Sequence, residues 1–365
     1  MLRIAGRPLP IVGRARVYVC GITPYDTTHL GHAATFVWAD VAARVARHLG
    51  VDVEVCRNVT DVDDVLDAAA ARSGSRADSF AAVQQFRFDR DMTALGVRRP
   101  LHEPRARSHV GQVVTLAAAL VAVGAAYERD GTVWFRGDGL AERAGLTEAE
   151  AATLAAEFGH AAHPQAEHAA DVPVWRRALA GEVAWPSPWG EGRPGWHAEC
   201  AAMALTTLGP ALDLHVGGAD LRYPHHTYEA AMAEAVTGVA PFARAWLHVG
   251  SVGLDGAKMA KSTGNLVLVS DVLAKHPAGA LRLLLLDRPW AQAWEYEAVA
   301  LDAAAARLER LYGAAARGTL DTGTAAARDV TAALLDDLDV PRALAVAEEA
   351  GGEAARVALS VLGLT

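Results

Sequence analysis

Apolar positions along the chain recur with two periods, and their order predicts parallel strands joined by helices. Arg16-Val17-Tyr18-Val19 is a short strand-like run, Ala33 to Leu49 has helical spacing, and Val51-Asp52-Val53-Glu54-Val55-Cys56 alternates with period two. Residues 15–57 therefore read as strand, turn, helix, strand, one right-handed unit of parallel sheet. Helical patterns follow over 78–96 and 108–123, broken at Pro100 and Pro104, and Thr132 to Arg136 reads as a strand. Residues 147–171 are helical and then irregular, so the middle of the chain reads as an insertion between two halves of the sheet. After the Pro186 to Pro194 loop come a helical run to Leu208, an alternating strand Leu212 to Val216 and a turn Gly217-Gly218-Ala219-Asp220. Pro224 suits the first turn of another helix, Trp246 to Val249 reads as a strand, and Gly253 to Ser262 as an open loop with two lysines. From about 278 the pattern is all-helical. The expected fold is α/β, a doubly wound parallel sheet over 1–290 with an inserted region at about 97–182, followed by a helical domain over 291–365.

Length and composition agree with this. The 365 residues can hold a large α/β domain with a smaller appendage, and 52% hydrophobic with 21% charged residues excludes disorder as the overall state. A net charge of −9 argues against a broad nucleic-acid-binding surface. The tail from 301 carries six arginines, no lysine and ten carboxylates, a net −4 that does not suit gripping tRNA. No signal-peptide core opens the chain and no apolar run is long enough for a bilayer, so a soluble, cytoplasmic protein without a membrane partner is expected. The three cysteines, Cys20, Cys56 and Cys200, include no Cys-x-x-Cys and predict no disulfide framework. Cys56 reads as a buried thiol within a strand. His160, His163 and His168 lack acidic or thiol neighbours and read as a solvated loop.

Candidate chemistry begins at the first strand–helix turn, where a doubly wound sheet receives phosphate-bearing ligands. His29-Leu30-Gly31-His32 puts imidazoles and backbone amides at a helix N-terminus, with Gly31 permitting close approach. Lys258-Met-Ala-Lys261-Ser262 supplies two ammonium groups and a hydroxyl that can close over a triphosphate. Either alone is weak, since a histidine pair is usually a cap and a lysine pair a solvated surface. Asp61 and Asp63, after the second strand, read as an N-cap and first helical turn.

Together the two stretches resemble the HIGH and KMSKS signatures of class I aminoacyl-tRNA synthetases, with Leu30 for isoleucine and Ala260 for the first serine. Val19-Cys20-Gly21-Ile22-Thr23-Pro24-Tyr25-Asp26, Gly195-Trp196-His197-Ala198-Glu199-Cys200 and Pro224-His225-His226 further resemble cysteinyl-tRNA synthetases and their tRNA-independent relatives, the cysteine ligases of mycothiol biosynthesis. The likeness covers 16–66 and 183–290, with a looser echo at Leu335 to Pro341 and a reduced stretch around 136–172. Ile-Thr-Pro-Tyr-Asp stands where the synthetases usually have Pro-Thr-Val-Tyr-Asp. Glu229 follows the synthetase pattern, whereas the ligases usually carry a glutamate where this chain has Thr227.

The resemblance implies a class I synthetase Rossmann-like sheet with an inserted subdomain and a C-terminal helical domain. It implies one Zn2+ held by Cys20, Cys200, His225 and Glu229, and Mg2+ carried with ATP. It implies cysteine contacts at Cys20, Gly21, Thr23, Asn58, Trp196 and Asp220. ATP contacts are implied at His29, Gly31, His32, Gly218, Asp220, Lys258, Lys261 and Ser262, with His29, His32, Lys258 and Lys261 catalytic. Whether Asp220 receives the amino group or the ribose stays open. The implied activity joins L-cysteine, through cysteinyl-adenylate, to an amine acceptor such as glucosaminyl-inositol, with no tRNA. A paralogue using another amine, a truncated cysteinyl-tRNA synthetase and a non-catalytic cysteine-binding homologue are the alternatives.

Overall fold

The computed structural model describes residues 1–25, 27–159, 162–259, 264–318 and 323–365. Four parallel strands form the central sheet in the order Ala243–Val249, Leu212–Gly218, Arg14–Ile22, Asp52–Val59. Register sets the function of each face. Trp246 lies opposite His215, His215 opposite Tyr18, and Tyr18 opposite Cys56, so one row crosses all four strands. Strand side chains alternate between faces. Val17, Val19, Leu214, Val216, Leu247 and Val249 accordingly turn to the helix Leu30–His48 and the main hydrophobic core. Tyr18, Cys20 and Cys56 turn the other way, toward Cys200 and Met203 of the helix Trp196–Leu208.

The antiparallel sheet Ala126–Arg129, Thr132–Phe135, Val172–Arg177, Gly192–Pro194 is inserted between the second and third sheet strands in chain order. Its core, built on Val113, Leu120, Val174 and Trp175, is separate from that of the parallel sheet. Helices Ala278–Leu286, Val299–Ala316, Gly323–Leu335, Val340–Ala350 and Gly352–Leu362 complete the chain and share the main core with the first helix. Their junction is a buried ion pair: Arg282 donates to Asp40 at 2.5 Å and to the carbonyls of Leu362 and Leu95 at 2.6 and 2.8 Å.

Three local expectations are corrected. The part of Gly253 to Ser262 that is described is not simply open: Val252–Leu254 and Ala257–Lys258 pair as a hairpin, turned at Asp255 and Gly256 with φ of 55° and 80°. Asp-Gly favours that turn because both residues tolerate the left-handed region. The tail is not wholly helical, since Trp294–Glu295 pairs in parallel with Val252–Leu254, a strand too short for period two to register. Of the two carboxylates after the second strand, only Asp63 caps a helix, accepting from the Val65 and Leu66 amides; Asp61 accepts from the Arg107 amide and the Arg105 guanidinium. His163 and His168 lie in the loop the sequence predicts and join no metal-binding group among the described residues; His160 lies outside them.

Candidate active site and metal centre

Three elements converge beneath the carboxyl ends of the sheet. Cys20 ends the inner face of its strand, Cys200 lies in the helix Trp196–Leu208, and His225 begins the helix His225–Thr237. One ligand atom from each, two sulfurs and an imidazole nitrogen, lies within 4.8 Å of the others, and all three residues are buried. Asn58 ties this group to the sheet. Its Oδ1 accepts from the Gly21 amide at 2.8 Å, and its Nδ2 donates to Thr60 Oγ1 at 3.0 Å and Cys200 Sγ at 3.5 Å. Gly21 permits that approach, because a Cβ there would stand 1.7 Å from the Asn58 carbonyl oxygen. The His225 ring is fixed by Nδ1 of His197 at 2.8 Å and by Trp196 stacked at 4.1 Å.

The two thiols behave as a pair sharing a proton. The hydrogen bond from Cys20, followed by the neighbouring His225 ring, draws Cys200 down to about 6 against the effect of burial. Burial, reinforced by Cys200, pushes Cys20 up. Of the two, Cys200 is the one whose thiolate the surroundings favour. Two sulfurs and an imidazole are the donor chemistry that zinc selects, and three protein ligands leave a position for a substrate atom, so the group fits that ion.

Glu229, expected beside these three, groups differently. Its carboxylate lies 3.9 Å from Cys20 Sγ but is held by His215 Nε2, 3.1 Å from each oxygen, in a second set comprising Cys20, His215, His226 and Glu229. Burial pushes the Glu229 carboxyl up and holds His215 down at about 3. Beyond it His226 Nδ1 meets His248 Nε2 at 2.8 Å, and Trp246 stacks on His215 at 4.6 Å. Burial pulls His226 and His248 down as well, His248 to about 4, so the surroundings disfavour positive charge on these imidazoles. Reading the sequence did not single out His197, His215, His226, His248 or Trp246. The available signal was His215 in a strand interior, where an imidazole replaces an apolar side chain.

The nucleotide half begins at His29. This residue is the N-cap of the helix Leu30–His48; its Nδ1 accepts from the Gly31 amide at 3.2 Å, and its ring lies 4.0 Å from that of His32. Across the opening, Lys258 Nζ donates to Asp220 Oδ2 at 2.8 Å. Lys261 and Ser262, with Ala260, lie outside the described residues. One cleft of about 500 Å³ is lined by Cys20, Gly21, Thr23, Asn58, Trp196, Cys200 and His225, and also by His29, Gly31, His32, Gly218, Asp220 and Lys258. Glu229 is absent from its lining. Asp63, Val65, Glu157 and Phe158 extend the rim. The arrangement sets a buried thiol–imidazole group and a histidine-capped helix N-terminus on one cavity.

Comparison with known proteins places the chain in a family. Residues 10–306 match the family described as tRNA synthetases class I (C) catalytic domain. An L-cysteine:1D-myo-inositol 2-amino-2-deoxy-alpha-D-glucopyranoside ligase of Nocardia farcinica is 45% identical over 356 residues, 94% of this chain and 85% of that protein. A ligase of the same name from Parafrankia sp. (strain EAN1pec) is 43% identical over 94% of this chain and 78% of its own length. A cysteine–tRNA ligase of Alkalilimnicola ehrlichii is 42% identical, over 94% of this chain and 76% of its own. Among solved structures, Mycobacterium tuberculosis methionyl-tRNA synthetase in complex with methionyl-adenylate superposes with a TM-score of 0.67 at 18% identity, covering 97% of this chain and 82% of that one, a likeness of fold. Two thiols and an imidazole facing a histidine-capped helix, on this sheet and with these relatives, lead to one conclusion: the chain belongs to the class I (C) tRNA synthetase catalytic-domain family and is an ATP-dependent ligase.

Proposed function

We propose that this enzyme activates L-cysteine with ATP and transfers the cysteinyl group to the amine of glucosaminyl-inositol, the acceptor in the names of its relatives from Nocardia and Parafrankia. The observation that carries this reading is the Cys20–Cys200–His225 group opening on the cleft that also receives His29, His32 and Lys258. Zinc bound by Cys20, Cys200 and His225 supplies a sulfur-preferring Lewis-acid position, which favours the substrate thiol over the hydroxyl of serine. Glu229, in this reading, serves through Cys20 and His215, as a fourth ligand or as the residue that orients them.

Trp196 and Thr23 line the cysteine pocket, and Asp220 receives the substrate's amino group or the ribose. A carboxylate oxygen of cysteine attacks the α-phosphorus of ATP, carried as its magnesium complex, and pyrophosphate leaves. His29 and His32 at the helix terminus, with Lys258 and Lys261 opposite, offset the charge that develops on the phosphates. The acceptor nitrogen then attacks the acyl carbon; the C–N bond forms, the C–O bond to phosphate breaks, AMP leaves and the amine loses a proton.

Cysteine-dependent ATP–pyrophosphate exchange, unsupported by serine, is the expected result with the zinc-loaded enzyme. Absence of exchange would sink the reading. Mass spectrometry of products identifies the acceptor: the cysteinyl amide of glucosaminyl-inositol is expected. Charging of tRNA instead would favour the activity named for the Alkalilimnicola relative, for which the net charge of −4 beyond residue 300 gives little support.

A further inference from the structure

The mouth of the cleft carries features that neither cysteine nor ATP explains. The inserted region's helix Glu148–Glu157 ends at the rim, and its last residue and the next, Phe158, line the cavity. The Phe158 ring lies 5.8 Å from that of Trp196 at an interplanar angle of 30°, and Trp196 in turn stacks on His225 at 4.1 Å. An aromatic wall therefore runs from the metal-binding imidazole out to the mouth. Glu157 is exposed, and among the described residues its carboxylate has no hydrogen-bond or ion-pair partner. Asp63, the other carboxylate on this rim, accepts from the Val65 and Leu66 amides. A half-buried ring beside an uncommitted carboxylate suits a ring-bearing amine with polar substituents: the ring's C–H face lies on the aromatic wall and its polar groups meet the carboxylate.

We propose that Phe158 and Glu157 are the acceptor-reading residues, selecting a hydroxylated cyclic amine over small or linear ones. This rests on the cysteine-ligase reading above and adds the site where the second substrate is chosen. Phe158 contributes the stacking face, and Glu157 accepts hydrogen bonds from the acceptor's hydroxyl or ammonium groups. Neither is among the residues assigned above to cysteine or ATP, so the proposal places both in the second half-reaction.

The test separates the half-reactions in the zinc-loaded, full-length enzyme. Exchange with cysteine and ATP, which involves no acceptor, is measured beside transfer to glucosaminyl-inositol, glucosamine, ethanolamine and hydroxylamine, for wild type and for Phe158→Ala, Phe158→Tyr and Glu157→Gln. Wild type is expected to prefer the cyclic amines in kcat/KM. Phe158→Ala should lower kcat/KM for glucosaminyl-inositol about 30-fold, chiefly through KM, with exchange and hydroxylamine transfer within about twofold. Phe158→Tyr should restore most of it, and Glu157→Gln should raise the acceptor KM about fivefold. A wild type without cyclic-amine preference overturns the proposal while leaving cysteine activation standing. So does Phe158→Ala lowering exchange as much as transfer, the signature of a side chain that merely supports Trp196. Absence of wild-type exchange overturns the cysteine-ligase reading itself and this inference with it.

Discussion

Two buried polar groups sit on opposite sides of the central sheet and are solved in opposite ways. At the junction with the C-terminal helices, Arg282 spends all its donor nitrogens within the protein, on Asp40, Leu95 and Leu362. Asp40 in turn accepts from Arg44 at 2.7 Å and the Arg98 amide at 3.1 Å. At the thiol group, Cys20, Cys200 and His225 face a cleft, and Nε2 of the neighbouring His226 is buried without a hydrogen-bond partner. A saturated buried network serves the fold, because each partner offsets the other's desolvation. A network with spare ligating capacity is held for something that binds.

The contrast can be broken by experiment. Cys200→Ala should abolish stoichiometric zinc in metal analysis and lower cysteine-dependent exchange by about 10³-fold, while moving the unfolding free energy of chelator-treated protein by about 1 kcal/mol. Retained zinc would remove the distinction. Arg282→Ala should do the reverse. Removing one partner of a buried pair costs about 3–5 kcal/mol in denaturant unfolding, whereas the folded fraction should keep its KM for cysteine. Replacing both, as Asp40→Leu with Arg282→Met, should recover only part of that loss, because the Leu95 and Leu362 carbonyls, Arg44 and the Arg98 amide lose their partners as well; full recovery would mean that those bonds contribute nothing.

Smaller effects sharpen the edges. Glu229→Gln should weaken zinc about tenfold in competition with a chelator, as expected for a residue that orients ligands. Complete loss of metal would make it a ligand in its own right, and unchanged affinity would give it no part. Asp220→Asn breaks the partly exposed contact to Lys258 and should change unfolding free energy by no more than about 0.5 kcal/mol. Its KM for cysteine or for ATP should rise severalfold, and which of them rises identifies the group Asp220 receives.

Much of this architecture is legible in the sequence because it is local. Alternation in Val17 to Cys20 and helical spacing after Gly31 are short-range consequences of backbone geometry, and the observed elements, Arg14–Ile22 and Leu30–His48, follow them. His29 shows itself as a cap by its place before an apolar run. The Asp255-Gly256 hairpin is equally local, since Asp-Gly carries its own turn signal whatever the neighbouring lysines suggest. The histidine bed was not legible. His215, His226 and His248 come from two strands and a helix, and nothing local joins them until the register row and the helix packing bring them together.

By itself, then, the sequence determined the parallel unit, the histidine that caps its helix, and the residue types, thiol, imidazole and ammonium, that the candidate site draws on. Those depend on neighbours within one turn or one strand repeat. Only the tertiary structure decided which of them meet. It gathered Cys20, Cys200 and His225 into one set while assigning Glu229's carboxylate to His215, and it brought Phe158 from the insertion to the Trp196 wall. Such distances are set by sheet register and helix packing, which couple residues far apart in the chain and leave no period in it.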